Sequence, residues 1–233
     1  MNRLILTLTA FFTICACFAQ SGPGYVVLDS GDTLRGHLKL LEGYASAPVS
    51  IGLSATEGTP GKGYSVRECK AFAVGEDVYE RATVTMNMSY LDEMDMNVLY
   101  QDSMLTQTLF LRRIYKGKNL SLLKYHNGEE TGFFRAKNVK THFFVQDPEK
   151  TQELIMAYNN RPIKSVAYDP SDFDRSSRAM RQIRPIYRDQ LRIYFDWIRE
   201  KKLVRRIDAS EYREDHLLKI ITEIDGKFRA PNN

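Results

Sequence analysis

The sequence predicts an α+β protein: an N-terminal antiparallel β-rich domain, a meander or partly closed sheet, precedes a helical region of about three helices. Up to about residue 146, apolar and polar residues alternate with a period of two, which is typical of half-buried strands. From residue 147 the apolar residues recur every three or four positions, as in amphipathic helices. No segment has the length and apolar character of a parallel crossover, so a doubly wound fold is not expected. The chain therefore divides into a leader (1–19), a β domain (20–146), a helical region (147–226) and a flexible tail (227–233).

The first nineteen residues have the pattern of a secretory signal peptide. Arg3 supplies a positive start, residues 4–18 are almost entirely apolar and carry no charge, and Ala19 occupies the small-residue position before a cleavage site. An alternative is a lipoprotein, because Ile14–Cys17 loosely resembles a lipobox that would place a lipid on Cys17. Both alternatives predict an exported bacterial protein that is periplasmic or associated with the outer membrane. No later apolar span follows, so no transmembrane helix is expected in the mature chain.

The β domain is predicted to begin with a hairpin. Tyr25–Leu28 and Thr33–Leu40 alternate in hydrophobicity around a turn at Asp29–Asp32, where Gly31 can adopt positive φ. The segment 42–63 is rich in small residues and predicts loops around one short strand at 49–53.

A meander is predicted over 109–145. Two strands flank a turn at Lys116–Asn119, and Asn127-Gly128 marks a second hairpin turn. Aromatic strands at 132–135 and 139–145 complete the meander.

Three helical segments are predicted after residue 146. Asp147 and Pro148 form a helix start, with the helix running to Tyr158. A second segment runs from Asp174 to about Lys202 and is kinked or split at Pro185. The last helix opens at Asp208 and ends near Gly226. The residues expected to pack the helices together or onto the sheet are Tyr187, Leu191, Tyr194, Ile198, Leu217 and Ile221.

The sequence contains no established catalytic, metal-binding or cofactor-binding motif, so no catalytic residue, metal or cofactor is predicted. The acidic cluster at 92–95 is interpreted as a solvated loop, and the cluster of Asp169, Asp172 and Asp174 as helix capping rather than a cation site. Cys69, which would remain after leader cleavage, is expected to pack as a small apolar residue.

A basic surface is the candidate site for a partner. The whole chain has a formal charge of only +4, but residues 175–206 contain eleven basic residues against three acidic ones. The arginines that recur along this stretch are Arg178, Arg181, Arg188, Arg192 and Arg199. They could bind an envelope protein or an anionic envelope surface, whereas an exported chain would not meet nucleic acid. The alternative is a solvated face whose arginine stems cover the apolar stripe near Leu191 and Phe195.

Two stretches resemble a group of uncharacterised exported bacterial envelope proteins. The first is Gly24-Tyr25-Val26-Val27-Leu28 followed by Ser30-Gly31-Asp32-Thr33-Leu34 and Gly36, which is similar to the "GY…GDT…G" hairpin that opens the domain in that group. The second runs from Phe110 through Gly117 to Tyr125 and is similar to a later hairpin of the group. The resemblance implies export and the order of domains, and it implies no activity or site residue.

The sequence therefore favours a non-catalytic envelope protein that acts as an interaction or binding module. A periplasmic hydrolase with dispersed catalytic residues is one alternative, which a Ser or Cys beside a histidine, or two close carboxylates, would favour. A small-ligand carrier is the other, and it would need an apolar cavity inside the β domain.

Overall fold

A computed structural model describes residues 21–44, 47–91, 98–99, 103–129, 138–160, 181–195 and 201–227. The strands are β1 (Ser21–Leu28), β2 (Thr33–Tyr44), β3 (Ala47–Ser54), β4 (Lys62–Ser65), β5 (Cys69–Val74), β6 (Asp77–Asn87), β7 (Tyr90–Leu91), β8 (Val98–Leu99), β9 (Met104–Lys116), β10 (Ser121–Glu129), β11 (Asn138–Gln146), β12 (Thr151–Leu154), β13 (Ala157–Asn160) and β14 (Arg181–Arg184). The helices are α1 (Ile186–Phe195), α2 (Lys201–Asp208) and α3 (Glu214–Lys227).

Ten of the strands form one open antiparallel sheet in the order β12-β11-β10-β9-β6-β5-β1-β2-β3-β4. The pairs β7–β8 and β13–β14 form two small ribbons. The predicted α+β class, with a β-rich domain followed by helices, is confirmed. We call β6 and β9 the central ribbon, β1–β5 the N-terminal half of the sheet, and β10–β12 the C-terminal half.

The opening hairpin forms as the sequence predicts. β1 pairs with β2, and Gly31 in the connecting turn has a φ of 95°, which glycine adopts without steric cost. Leu38 and Leu40 of β2 are buried on one face, while Leu34 packs against the same core from its margin. The short strand expected at 49–53 is also confirmed, as part of β3.

The N-terminal half rolls over one face of the central ribbon. Phe110 of β9 belongs to the same buried cluster as Leu38 of β2 and Ile51 of β3, although β6, β5 and β1 lie between them in the sheet. Phe72 stacks on Tyr79 with ring centroids 4.6 Å apart and meets Phe110 edge-on at 4.9 Å. An aromatic core therefore fills this roll.

The C-terminal half rolls over the opposite face of the ribbon. The backbone N–H of Asn87 on β6 donates to a carboxylate oxygen of Glu153 on β12 at 2.5 Å, across β9, β10 and β11. The core inside this roll consists of Val84, Met86, Leu111, Leu123 and Phe144. Because neighbouring residues of a strand point to opposite faces, Phe110 packs in the aromatic core of the N-terminal roll and Leu111 packs in the core of the C-terminal roll. The sheet is S-shaped in section, and the ribbon is shared by both rolls.

The helices cover the outer face of the C-terminal half. Tyr187, Leu191, Leu217 and Ile221 are fully buried, and they pack on each other and on the sheet, as the sequence predicts. The sheet residues in this third core are Leu120, Leu122, Phe143, Val145 and Leu154. Tyr194 and Ile198 were also expected in this core, but the side chain of Tyr194 and the whole of Ile198 lie outside the described residues.

A buried carboxylate fastens α3 to the turn between β9 and β10. Asp225 accepts hydrogen bonds from the backbone N–H groups of Lys118 at 2.9 Å, Asn119 at 2.7 Å and Leu120 at 2.8 Å. The hydroxyl of Tyr115 donates a fourth bond at 3.1 Å. Burial alone would raise the pKa of Asp225, but these hydrogen bonds to the ionised form outweigh it and lower the pKa. A Cβ at Gly117 would lie 2.1 Å from the carboxylate, so only glycine allows this approach.

The helix predicted from Asp147 to Tyr158 is wrong, because this segment forms β12 and β13. The Asp147 side chain accepts hydrogen bonds from the N–H groups of Glu149 and Lys150, and the N–H of Asp147 donates to the carbonyl of Lys150. Asp followed by Pro favours the start of a type I turn as well as the start of a helix. The turn therefore closes a β11–β12 hairpin, and the helical region begins only at α1.

Two further predictions are corrected. The helical segment predicted from Asp174 is wrong over 181–184, which forms β14, and α1 begins only after Pro185. Asn127-Gly128 is not a turn, because β10 continues to Glu129 in register with β11. The predicted strand at 132–135 and the acidic clusters at 92–95 and 169–174 lie outside the described residues.

The last helix starts later than predicted. Asp208, its expected first residue, ends α2, and α3 begins at Glu214. Of the helices in the described ranges, none has both the length and the apolar character needed to cross a membrane.

Candidate functional site

The described arginines of the predicted basic surface are held by contacts within the chain. Arg188 donates to the carbonyl of Ser210 at 2.5 Å, and its guanidinium lies 5.7 Å from the ring centre of Tyr187. Arg192 bridges Asp189, at 2.7 Å, and Asp208. Both arginines are thus engaged within the fold, and the two interpretations of the basic surface, partner binding and a solvated face, stay predictions.

The structure does not describe the side chains of the remaining arginines of that surface. Arg181 belongs to β14 rather than to a helix, and its side chain is outside the described part. Arg178 and Arg199 also lie outside the described residues. The exposed cations of α2, Lys201, Lys202 and Arg205, have no ion-pair partner among the described residues.

A buried polar cluster lies at one end of the C-terminal roll. His142 is fully buried, and its Nδ1 lies 2.6 Å from a carboxylate oxygen of Glu153, which is 3% exposed. With Nδ1 protonated, the imidazole donates to the carboxylate, and Nε2 has no hydrogen-bond partner among the described residues. A Glu–His pair of this kind orients the base of many hydrolases. Here the pair links β11 to β12 and the ring is sealed from solvent. No described nucleophile bonds to Nε2.

Lys140 completes this cluster and holds the end of β6. Its ammonium donates to the backbone carbonyls of Asn87 and, at 2.6 Å, Ser89. Burial lowers the pKa of Lys140 to about 8, against a smaller opposing effect of the Glu153 carboxylate. Ser89 donates its hydroxyl to the Asn87 side chain at 2.5 Å, so this hydroxyl is engaged within the loop. The cluster acts as a clamp between β6, β11 and β12.

The thiol of Cys69 is buried in the aromatic core, as predicted. Burial raises its pKa to about 11, so at neutral pH it is an unreactive thiol. Within the described ranges, no three His, Cys, Asp or Glu side chains come together as a metal site.

The outer half of β9 is the exposed part of the sheet. β10 pairs with β9 only from Lys116 to Arg112, and the rest of β10 pairs with β11 alone. On this side of residues 104–111, no described strand continues the ladder. All five side chains from Met104 to Thr108 are exposed, although they alternate between the two faces of the strand. We call residues 104–109 the open edge.

Hydroxyl groups line one face of the ribbon beside the open edge. Thr83 pairs with Thr108 and Thr85 with Thr106, each with hydroxyl oxygens 2.8 Å apart. These four exposed side chains form a flat platform that continues the face on which Phe110 is buried. A shallow depression of about 520 Å³ adjoins the platform and is lined by Val66, Arg67, Arg81, Gln107 and Thr108.

The two terminal edges of the sheet are protected, in contrast to the open edge. The Gln190 side chain accepts from the N–H of Ile155 at 2.8 Å and donates to the carbonyl of Glu153 at 2.7 Å, as a neighbouring strand would. At the other end, β4 is only four residues long and carries Lys62. Short strands, lysines and covering side chains are the usual devices that keep an edge from associating.

Among the described residues, none of these devices protects the open edge. Residues 104–111 contain no charged residue and no proline. The hydrophobic pattern predicts a strand here only from residue 109, and no sequence motif marks a site in this stretch. The signal that could have revealed it is the uncharged run Leu105-Thr106-Gln107-Thr108-Leu109, which reads the same in both directions.

Comparison of the chain with known proteins gives no relative to compare at this site. No family model, no curated protein and no solved structure matches the chain.

Proposed function

We propose that the chain is an exported, non-catalytic interaction module of the bacterial envelope, and that its binding surface is the open edge. The observation that carries the proposal is an uncharged strand of six residues whose outer hydrogen-bonding side meets no described strand. An extended segment of a partner can add to such an edge through backbone hydrogen bonds, while adjacent side chains give specificity. The leader pattern and the resemblance of the opening hairpin to exported proteins support the location.

Two observations argue against the alternatives within the described residues. The one Glu–His pair is sealed in the protein interior, where a substrate would not reach it. The aromatic core is filled by Phe72, Tyr79 and Phe110, so the N-terminal roll offers a ligand carrier no apolar cavity at this position.

The test is edge-dependent capture in intact envelopes. Cells produce the wild type, a Met104→Lys/Leu105→Lys variant and a matched control, Leu41→Lys/Val49→Lys, which also places two lysines at exposed apolar strand positions. After cross-linking and affinity capture, we expect envelope proteins to be recovered with the wild type and the control but not with the edge variant. Equal recovery with both variants would refute the open edge as the binding surface.

Location is tested on the same material. We expect the mature protein in the periplasmic or membrane fraction with Gln20 as its first residue. If the first residue is Cys17 and the chain carries an acyl mass, the protein is a lipoprotein and cleavage after Ala19 is refuted. A full-length protein in the cytoplasm would refute export.

A second candidate function, contact with an anionic envelope surface, is favoured by three cations of α2 that have no ion-pair partner within the described ranges. Lys201, Lys202 and Arg205 are exposed beside the buried Leu203 and Ile207. Each cation near an anionic surface contributes about 1 kcal/mol, so neutralising all three is expected to weaken binding to vesicles containing anionic lipid by about a hundredfold. Co-sedimentation with such vesicles measures this, and unchanged sedimentation would exclude the surface.

A further inference from the structure

We propose that the open edge pairs with the open edge of a second copy of this chain, forming a two-fold symmetric antiparallel dimer centred on Gln107. This inference rests on the proposed function, because it identifies one partner for the same surface. The pairing would extend the ribbons of the two copies into one four-stranded sheet.

The sequence of the open edge is complementary to itself in an antiparallel arrangement. A two-fold axis through Gln107 places Thr106 opposite Thr108 of the partner subunit and Leu105 opposite the partner's Leu109. Each residue thus meets one of the same kind, and the register follows from the palindrome. An isologous dimer requires this kind of self-complementarity.

The threonine platform would continue across the dimer. Thr108 already pairs with Thr83 within one copy, and Thr106 pairs with Thr85. Because directly opposed residues share a face, Thr108 would stand beside the partner's Thr106 on that face. Two rows of four threonines would then cross the four strands, and cross-strand threonine pairs stabilise a sheet through their hydroxyl groups.

Charge does not oppose the pairing. Residues 104–111 are uncharged, and the nearest cations on β9 are already paired: Arg112 with Asp77 at 2.6 Å, and Arg113 with Glu80. At the two-fold axis, Gln107 would lie opposite the partner's Gln107, and the two exposed amides can both donate and accept hydrogen bonds there. The same geometry would place two like charges face to face if Gln107 were ionisable.

Charge exchange at Gln107 tests the dimer. We expect the purified wild type to sediment as a dimer at high micromolar concentration, with Gln107→Lys and Gln107→Glu each weakening the dimer by about tenfold through like-charge opposition. Mixing the two variants should restore a heterodimer, because opposite charges then meet at the axis. The matched control is Val49→Lys, an exposed strand position that should leave the dimer unchanged.

A monomeric wild type, or a dimer insensitive to both Gln107 variants, would overturn the self-pairing. Hydrogen exchange of the wild type gives a readout that needs no variant: protection of residues 104–109 should rise with protein concentration, and concentration-independent exchange would also overturn it. If the wild type is monomeric yet captures other envelope proteins through the edge, self-pairing fails while the proposed function stands. If the wild type dimerises but the Met104→Lys/Leu105→Lys variant captures envelope proteins as well as the wild type does, the proposed function fails while self-pairing stands.

Discussion

Replacement of Asp225 by Asn is expected to loosen the attachment of α3 to the sheet. The carboxylate accepts three backbone N–H groups and one hydroxyl and is only 7% exposed. An asparagine keeps one acceptor oxygen and turns its amide N–H₂ toward donors that need an acceptor. At least two charge-assisted hydrogen bonds are lost, and each contributes about 1.5–3 kcal/mol. We therefore expect a loss of about 3–6 kcal/mol in the free energy of unfolding.

The effect should be measurable by heat and by denaturant. For a chain of this length, about 1 kcal/mol corresponds to about 2–4 °C, so the Tm should fall by about 6–24 °C. Urea titration followed by circular dichroism measures the free energy directly. Asp189→Asn is the matched control: its carboxylate pairs with Arg192 at the surface and is 75% exposed, so the change should be within about 0.5 kcal/mol.

The dependence on pH provides a second check. The pKa of Asp225 is lowered in the folded protein, so its stabilisation is present above the ordinary carboxyl pKa and is lost as the pH falls through the folded value. The difference in stability between wild type and Asp225→Asn should therefore be largest at neutral pH and shrink in acid. A variant within about 0.5 kcal/mol of the wild type at pH 7, or a difference independent of pH, would refute the account of this contact.

Three other predictions concern the β12 edge covered by Gln190, the clamp around Lys140 and the thiol of Cys69. Gln190→Ala leaves the N–H of Ile155 and the carbonyl of Glu153 without their partner, and we expect a loss of about 1–3 kcal/mol and faster hydrogen exchange at Ile155. Wild-type stability should rise with pH between about 8 and 10.5, because the folded protein binds Lys140's proton less tightly than the unfolded chain, and urea titration should show this rise abolished in Lys140→Met. Cys69 should react with a thiol reagent at pH 8 only after unfolding, and rapid labelling of the native protein would contradict its burial.

The fold class and the β1–β2 hairpin could be predicted because their signals are local. Alternating hydrophobicity and a glycine-containing turn specify a hairpin without reference to distant parts of the chain. The helix stripe around Tyr187 and Leu191 is similarly local, and its burial is confirmed. The β11–β12 hairpin was mistaken for a helix because Asp147-Pro148 favours both a turn and a helix start.

The candidate site could not be predicted, because it depends on the absence of a neighbouring strand. Among the described strands, none pairs with residues 104–111 on the side where β10 leaves β9 after Arg112, and no local sequence pattern reveals this. The clamp is equally non-local: Lys140 and Glu153 meet residues of β6 more than fifty positions earlier in the chain. The partners of the arginines in the predicted basic surface are also invisible in the sequence: Arg192, for example, pairs with Asp208 of α2, and the role of the surface stays a prediction.

Because the central ribbon contributes side chains to two cores, the register of β9 is fixed from both faces of the sheet. A slip of one residue along the inner part of β9 would carry Leu111 into the aromatic core and Phe110 into the aliphatic one. Both cores would lose their native packing in that register, so a one-residue insertion near Phe110 should be incompatible with folding. Beyond Thr108 toward the start of β9, every side chain is exposed and this double constraint ends. Residues 104–108, most of the stretch proposed to bind, can therefore change in sequence, and with it in choice of partner, without disturbing either core.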